Sequence, residues 1–306
     1  MITSNLVACL SMCLSGIIST LPMNADRSPA GLTERCGAPA TPWHEHTDRV
    51  QVREFALAFP NDAERGHLDI DIKRGDILVT AYDGDQVLVR LSIPKNQQGA
   101  PKNADGAFQT LSATPVDLEV RQNGNFIELD GNSYEQITNV EVLVPRDIDL
   151  TLDSYRSGVI RVTGVAGQVR ARSQDNDIVL TDIAGSARLI GRNGSLSASF
   201  SKVIDELNLE TYNGDIDLTL PADVKTTAFI RAVHGTVQSQ LPIKERPLQV
   251  ELTTSEDGSQ SIEFGEYYVG DINGGGTESV LETTNGSVRL RKLNTPSTHP
   301  THTPAD

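Results

Sequence analysis

The chain has 306 residues, a formal net charge of −15 and a hydrophobic fraction of 38% that contains few aromatic residues. This charge argues against a nucleic-acid partner, because the neutralisation of phosphates requires clustered Lys and Arg. A core built from Val, Ile and Leu, together with frequent Gly, favours pleated sheet.

Residues 1–25 are a candidate signal peptide. The apolar stretch at residues 6–21 is too short and too mixed for a transmembrane helix, but it is near the length of a signal-peptide core. The residues before it carry no Lys or Arg, and the sequence LVAC that ends at Cys9 resembles a lipoprotein cleavage box. We therefore expect an exported protein (periplasm, cell envelope or extracellular) without an integral membrane span, and leave lipid anchoring at Cys9 open.

Residues 26–49 are rich in Pro, Ala, Thr and Gly, which predicts a disordered tether. Residues 293–306 predict a disordered tail, and residues 50–292 between them predict one all-β domain. All three cysteines precede residue 37. The domain is therefore predicted to have neither a disulfide framework nor a cysteine metal cluster.

Short strands with period-2 alternation begin at Val50. Residues 94–114 and about 243–270 are irregular and predict loops or insertions, and the last strand ends at Lys292. The alternation is most regular between residues 140 and 241. The residues predicted to point inward after successive turns include Ile160, Ile178, Leu196, Ile216, Val237 and Val288.

Turn-forming residue pairs recur at nearly even spacing. The pairs at 157–158, 176–177, 193–194, 213–214 and 234–235 follow one another at intervals of 17 to 21 residues. A fixed short period is typical of stacked repeats, in which no unit buries its own apolar face alone. Because Gly and Asn tolerate positive φ, we predict structural corner turns at Gly75, Gly84, Gly158, Asn193, Gly194, Asn213, Gly214, Gly235, Asn285 and Gly286.

Two sheet architectures fit these turns. Asn-Gly is a strong hairpin signal, and residues 207–211 could pair antiparallel with residues 216–220 around Asn213-Gly214. Alternatively each Asn-Gly is a corner of a β-solenoid, a stack of short coils about 4.8 Å apart, whose corner Asn side chains form a hydrogen-bonded ladder. The near-constant period favours the solenoid, although strand parity alone leaves an antiparallel meander open. Residues 50–60 and Arg289–Lys292 are candidate covers for its open ends.

Three strings carry a family resemblance: RGDILVTAYDGDQVLV (74–89), YNGDIDLTLP (212–221) and INGGGTESVLETTNGSVRLRK (272–292). They resemble the bacterial putative-adhesin domains of unknown function, which belong to the single-stranded right-handed β-helix group called toastrack domains. The resemblance implies an exported or envelope-attached stack of β coils without established catalytic residues. Its implied roles are adhesion, envelope-stress sensing and protein-interaction scaffolding.

Candidate chemical groups have a simpler interpretation. Acid pairs with one residue between them could bind Ca²⁺ or act in a glycosidase, but we interpret them as solvent-facing residues that prevent sheet association. The pairs are Asp69/Asp71, Asp83/Asp85, Asp147/Asp149, Asp175/Asp177 and Asp215/Asp217. His44 and His46 lack a third ligand with convincing spacing, and His234 is interpreted as a turn residue. The sequence thus predicts no catalytic residue, metal site or cofactor.

These observations favour a non-catalytic, envelope-associated or secreted β-solenoid that acts as an adhesion or interaction scaffold. Its expected partner is an envelope protein or a surface glycan. One alternative is a polysaccharide-processing β-helix enzyme, supported by fold analogy and abundant carboxylates. Another is a structural envelope element that self-associates through the solenoid ends.

Overall fold

The computed structural model describes residues 50–61, 64–94, 118–247, 250–254, 260–264 and 267–293. Within these ranges every regular element is a β-strand, so the all-β prediction is confirmed. The predicted signal peptide, the tether and the tail from residue 294 onward lie outside the described residues. The same is true of Cys9, His44 and His46.

The described residues form twenty-one strands. The first ten are β1 (Val50–Ala58), β2 (Gly66–Arg74), β3 (Ile77–Tyr82), β4 (Gln86–Pro94), β5 (Glu119–Asn123), β6 (Phe126–Gly131), β7 (Asn139–Pro145), β8 (Ile148–Arg156), β9 (Val159–Thr163) and β10 (Gln168–Ser173). The others are β11 (Asp177–Asn193), β12 (Leu196–Asn213), β13 (Ile216–Leu220), β14 (Thr226–Ala232), β15 (Val237–Ser239), β16 (Ile243–Glu245), β17 (Val250–Thr254), β18 (Gln260–Phe264), β19 (Tyr268–Ile272), β20 (Thr277–Asn285) and β21 (Val288–Lys292).

Nineteen strands form one sheet, while β17 and β18 pair separately. The sheet contains two ladders of paired strands. The first ladder runs β1, β4, β7, β3, β9, β11, β12, β13, β21, β15. The second ladder runs β5, β6, β2, β8, β10, β11, β12, β20, β14, β19, β16.

Two long strands join the ladders. The N-terminal parts of β11 and β12 belong to the first ladder and their C-terminal parts to the second, with register shifts between Leu180 and Ala187. The result is a curled open sheet. The central strands of both ladders pair in parallel, so the antiparallel hairpin considered at Asn213-Gly214 is wrong. Leu196 of β12 instead lies opposite Ile216 of β13 in a parallel pair.

The stacking order differs from the chain order at both ends. β2 lies between β6 and β8, and β3 lies between β7 and β9, although both come before these strands in the chain. Likewise, β20 and β21 lie between β12–β13 and β14–β15. A simple solenoid would stack its coils in chain order. Here one strand pair near each end of the chain is inserted a layer inward.

Antiparallel strands cover three of the four ladder ends, and the fourth end is formed by β15, which pairs in parallel with β21. β1 and β4 cover β7, β5 covers β6, and β19 and β16 cover β14. Residues 50–60 therefore supply an end cover through β1, as predicted. The second predicted cover, Arg289–Lys292, is wrong because its strand β21 lies inside the first ladder.

Alternate side chains of both ladders enter one aliphatic cluster. In β13, Ile216, Leu218 and Leu220 are buried, whereas the residues between them face outward. Val237 was predicted to point inward, but it is 40% exposed. The prediction fails there because β15 is a three-residue strand that pairs, among the described strands, with β21 alone.

The turns that lead into the first ladder stack closely on one another. A Cβ added at Gly194 would overlap the carbonyl oxygen of Asn176, and one at Gly214 would overlap that of Gly194. The same overlap occurs at Gly286 against Gly214 and at Gly235 against Gly286. Gly194 is thus required by the close approach of the neighbouring backbone rather than by positive φ, which it does not adopt.

An asparagine ladder runs beside this glycine column. The Asn213 side-chain amide donates to Oδ1 of Asn193 at 2.7 Å, and that of Asn285 donates to Oδ1 of Asn213 at 2.7 Å. Asn193 in turn donates to Asp175 at 2.8 Å. These bonds form the ladder expected from the sequence, and they hold equivalent turns in register.

We expect Gly194→Ala to lower the free energy of unfolding by about 1–3 kcal/mol or more, because the new methyl group would force adjacent backbone layers apart. Chemical denaturation would measure the change. Gly124→Asn is the matched control, because Gly124 has φ of +58° and open space where a Cβ would lie, a conformation that Asn tolerates. Equal destabilisation by the two variants would contradict a packing role for the column.

Candidate functional site

The residues predicted as corner turns do not converge on a reactive site. Gly75, Gly158, Gly194, Gly214, Gly235 and Gly286 lie in the stacked turns, and Asn193, Asn213 and Asn285 form the ladder beside them. Gly84 lies apart, in the connection between β3 and β4 beneath the Tyr82 ring. The φ angle is positive at Gly75, Gly158 and Gly214, but not at the other glycines of this set.

The acid pair Asp215/Asp217 at the start of β13 is held by arginines from β21. Arg289 donates to Asp215 at 2.9 Å, and Nε of Arg291 lies 2.7 and 2.9 Å from the two carboxylate oxygens of Asp217. The backbone N–H of Ser287, followed by Arg289, lowers the pKa of Asp215. A lowered pKa is the opposite of what a general acid requires, so this pair is suited to holding layers together.

The described histidines also have local roles. The His67 ring stacks on Phe126 with centroids 5.1 Å apart, and its Nε2 lies 3.1 Å from the Thr151 hydroxyl. Burial is the largest effect on His67 and lowers its pKa. His234 lies in the turn before β15, as predicted.

The outer face of the second ladder separates charge by strand. Asp71 of β2 lies directly opposite both Asp130 of β6 and Asp153 of β8. Burial, and after it the charge of Asp153 and of neighbouring carboxylates, raises the pKa of Asp69 to about 6. Burial also raises the pKa of Asp153, although the charge of Arg172 opposes this.

Arginines occupy the next two strands on the same face. Arg170 of β10 lies opposite Arg188 of β11, and both side chains are exposed. Arg172 and Arg192 extend this arginine group toward the ends of the same strands. Among the described residues, Arg170, Arg188 and Arg192 have no salt bridge or side-chain hydrogen bond. Like charges directly opposite in a sheet are destabilising, so the fold itself gives no reason for this arrangement.

A cleft of about 410 Å³ lies where the acidic and basic strands meet. We call it the tyrosine cleft; its charged and aromatic lining consists of Asp71, Lys73, Tyr134, Asp153, Tyr155, Arg172 and Arg192. Tyr134 and Tyr155 contact each other edge to face with ring centroids 5.6 Å apart. They remain 54% and 38% exposed, which leaves aromatic surface available to a ligand.

Local structure fixes the cleft walls. Tyr155 points outward near the end of β8, two residues after Asp153. The loop that carries Tyr134 is tied to β2, because Thr138 N donates to the carbonyl of Arg74 at 2.9 Å. Lys73 donates a hydrogen bond to Asp71 at 2.6 Å. Burial lowers the pKa of Lys73, but this bond and the charge of Asp71 outweigh burial, so the pKa is raised overall.

Sequence reasoning singled out Asp71 but missed the tyrosines and arginines of the cleft. Tyr134 and Tyr155 are 21 residues apart in sequence and form no recognisable motif. The available signal was weak: Tyr155 and Arg172 each occupy an outward position of the strand alternation. Only the parallel register of β2, β8, β10 and β11 brings these positions together.

Within the described ranges, no three or more His, Cys, Asp or Glu side chains are grouped so as to hold a metal ion. The same part of the chain contains no helix with the length and apolar character needed to cross a membrane.

No protein-family model matches the sequence, and no curated protein matches it. Solved structures do resemble the fold. One is a putative cell adhesion protein from Clostridium sporogenes, with 13% identity and a TM-score of 0.42, covering 79% of this chain and 100% of that protein. A putative adhesin from Bacteroides fragilis has 12% identity and a TM-score of 0.34, covering 81% of this chain and 98% of that protein.

A putative lipid binding protein from Parabacteroides distasonis is also similar, with 8% identity and a TM-score of 0.24, covering 80% of this chain and 97% of that protein. Proteins described as putative adhesins are thus among the structures that this chain resembles, as the sequence motifs predicted.

We expect two acid substitutions to change stability in opposite directions with pH. The raised pKa of Asp69 means that its ionisation opposes folding, with a penalty absent below about pH 4 and complete above about pH 6. Asp69→Asn should therefore stabilise the protein at pH 7 by on the order of 1 kcal/mol after allowance for solvent screening. The variant should have little effect at pH 4.

Asp215→Asn is the matched comparison. Because the pKa of Asp215 is lowered in the folded protein, its ionised carboxylate stabilises the fold at pH values above 3.8, the ordinary pKa of this group. This contribution is lost as the pH falls through the folded-state pKa. The substitution should destabilise the protein at pH 7. Urea denaturation at pH 4 and pH 7 would measure both variants. Stabilisation by Asp215→Asn, or destabilisation by Asp69→Asn at pH 7, would contradict this electrostatic account.

Proposed function

We propose that this protein is a non-catalytic adhesion scaffold of the cell envelope or the extracellular space, and that the tyrosine cleft binds a saccharide of a surface glycan. The observation that carries the proposal is the pair of exposed, contacting rings of Tyr134 and Tyr155 within a polar cleft. Aromatic rings offer apolar faces to the C–H faces of sugars. The carboxylates of Asp71 and Asp153 can accept hydrogen bonds from sugar hydroxyls.

The sheet is suited to hold such a site rigidly. The stacked turns and the asparagine ladder join successive layers through backbone contact and side-chain hydrogen bonds. Four adjacent strands then present the cleft residues other than Tyr134, which lies on a loop, at fixed spacing. Side chains supported by strands are more precisely held than side chains on loops. In this proposal the parallel central layers serve as the coils of a β-solenoid, with the corner residues as its spacers.

An adhesive role also agrees with the surroundings expected of the chain. The candidate signal peptide at residues 1–25 supports export, and the net charge of −15 favours solubility over association with anionic lipid. The alternative partner in this proposal is an envelope protein, and the cleft is proposed to bind its partner without catalysis. Asp215 is unsuited to act as a general acid because its pKa is lowered, whereas the raised pKa of Asp153 makes this cleft residue the one at which the enzyme alternative is tested.

The proposal predicts glycan binding that depends on Tyr155. The full chain, applied to an array of bacterial-surface and host-type oligosaccharides, should bind at least one class. Tyr155→Ala should then weaken binding at least tenfold, because an aromatic wall of the cleft is lost. Titration calorimetry with the oligosaccharide selected by the array would give the affinities.

Tyr268→Ala is the matched control. Tyr268 is 36% exposed and lies on β19, toward the end of the second ladder that is remote from the cleft strands, so its removal should leave the affinity unchanged. Failure of every oligosaccharide to bind, or equal losses in the two variants, would overturn the proposal. Release of reducing sugar that Asp153→Asn abolishes would instead identify an enzyme.

A further inference from the structure

The charge of the tyrosine cleft limits the chemical class of ligand that it can bind. Three cations, Lys73, Arg172 and Arg192, face two carboxylates, Asp71 and Asp153, which leaves one positive charge in excess. Lys73 is already bonded to Asp71 at 2.6 Å, and Arg172 lies directly opposite Asp153 in the sheet. Arg192 is therefore the cation whose charge the described residues leave uncompensated.

This excess is unusual for the molecule as a whole. The chain carries a net charge of −15, yet the arginine group of β10 and β11 places Arg170 directly opposite Arg188 without a carboxylate partner among the described residues. Such an arrangement disfavours folding because like charges repel across a strand pair. An anionic ligand that bridges the two strands would remove the repulsion.

We infer that the tyrosine cleft binds a carboxylated saccharide, such as a uronate unit of an acidic glycan; this inference rests on the proposed saccharide-binding function. The guanidinium group of Arg192 would bind the sugar carboxylate, since its planar donors match that group in a bidentate geometry. The sugar ring would lie against Tyr155, and its hydroxyls would donate to Asp71 and Asp153.

The size of the charge favours a carboxylate over a phosphate ester; a sulfate ester also carries a single negative charge and is distinguished by the binding comparison with a sulfated oligosaccharide. A group with a single negative charge matches the single excess positive charge of the lining, whereas a phosphate carries a larger charge close to Asp71 and Asp153. The remaining arginines lie one strand apart, about 4.8 Å. Arg170 and Arg188 therefore extend the binding surface beyond the cleft for the next acidic unit of the glycan.

The inference is tested with the full chain and short oligomers of galacturonate, glucuronate and mannuronate, each paired with its methyl ester. At least one uronate oligomer should bind at least tenfold more tightly than its ester, because esterification removes the charge that Arg192 binds. Its affinity should fall as the salt concentration rises. Arg192→Gln should abolish most of the difference between acid and ester.

Arg161→Gln is the control for charge alone. Arg161 is exposed on the outer face of the first ladder, in β9, and its removal should leave the ratio between acid and ester unchanged. A comparable decrease in both variants would overturn the inference, because it would indicate a diffuse effect of net charge.

The remaining outcomes separate the inference from the proposal on which it rests. Equal, Tyr155-dependent binding of acids and esters would overturn the carboxylate assignment while leaving saccharide binding intact. Tighter, Arg192-dependent binding of a sulfated oligosaccharide would overturn the assignment in favour of sulfate. If no oligosaccharide binds in a Tyr155-dependent manner, both the inference and the proposed function fail.

Discussion

Close approach of the backbone at the stacked turns governs how the layers of this protein assemble. At Gly194, Gly214 and Gly286 the space for a Cβ is occupied by the carbonyl oxygen of the neighbouring layer. A side chain at these positions would push the layers apart and break the adjacent side-chain bonds. Since the ladders meet at these turns, their spacing also sets the register of the strands that follow. The aliphatic core and the outward charges therefore depend on the same short contacts.

Register turns this constraint into a surface. In a parallel ladder, residues that lie opposite each other point to the same face, so each outward column collects side chains from distant parts of the sequence. On the second ladder this produces a cluster of carboxylate side chains on β6, β2 and β8 beside the arginine group on β10 and β11. Burial, together with the repulsion among these carboxylates, raises the pKa of Asp69. The tyrosine cleft lies where the two groups meet, which gives one small site aromatic, basic and acidic character.

The two ladders use their outer charges differently. On the first, Asp215 and Asp217 pair with Arg289 and Arg291 across adjacent strands, so the charges bind layers to each other. On the second, Arg170 and Arg188 face each other and are left for solvent or a ligand. Carboxylates at similar positions in the strand alternation thus have different effects on the two ladders. A stabilising pair and a candidate binding surface differ only in what the next strand supplies.

Strand content, the inward and outward alternation, and the turns at which Asn and Gly recur could all be predicted from the amino-acid order, because each depends on neighbours in the chain. The order of the layers could not. Asn123-Gly124 closes an antiparallel hairpin and Asn213-Gly214 joins parallel layers, although the two dipeptides are identical. The difference arises from long-range strand pairing, which also places β2–β3 and β20–β21 in inner layers. The same pairing creates the cleft, since Tyr134, Tyr155 and Arg192 become neighbours only when distant segments come together.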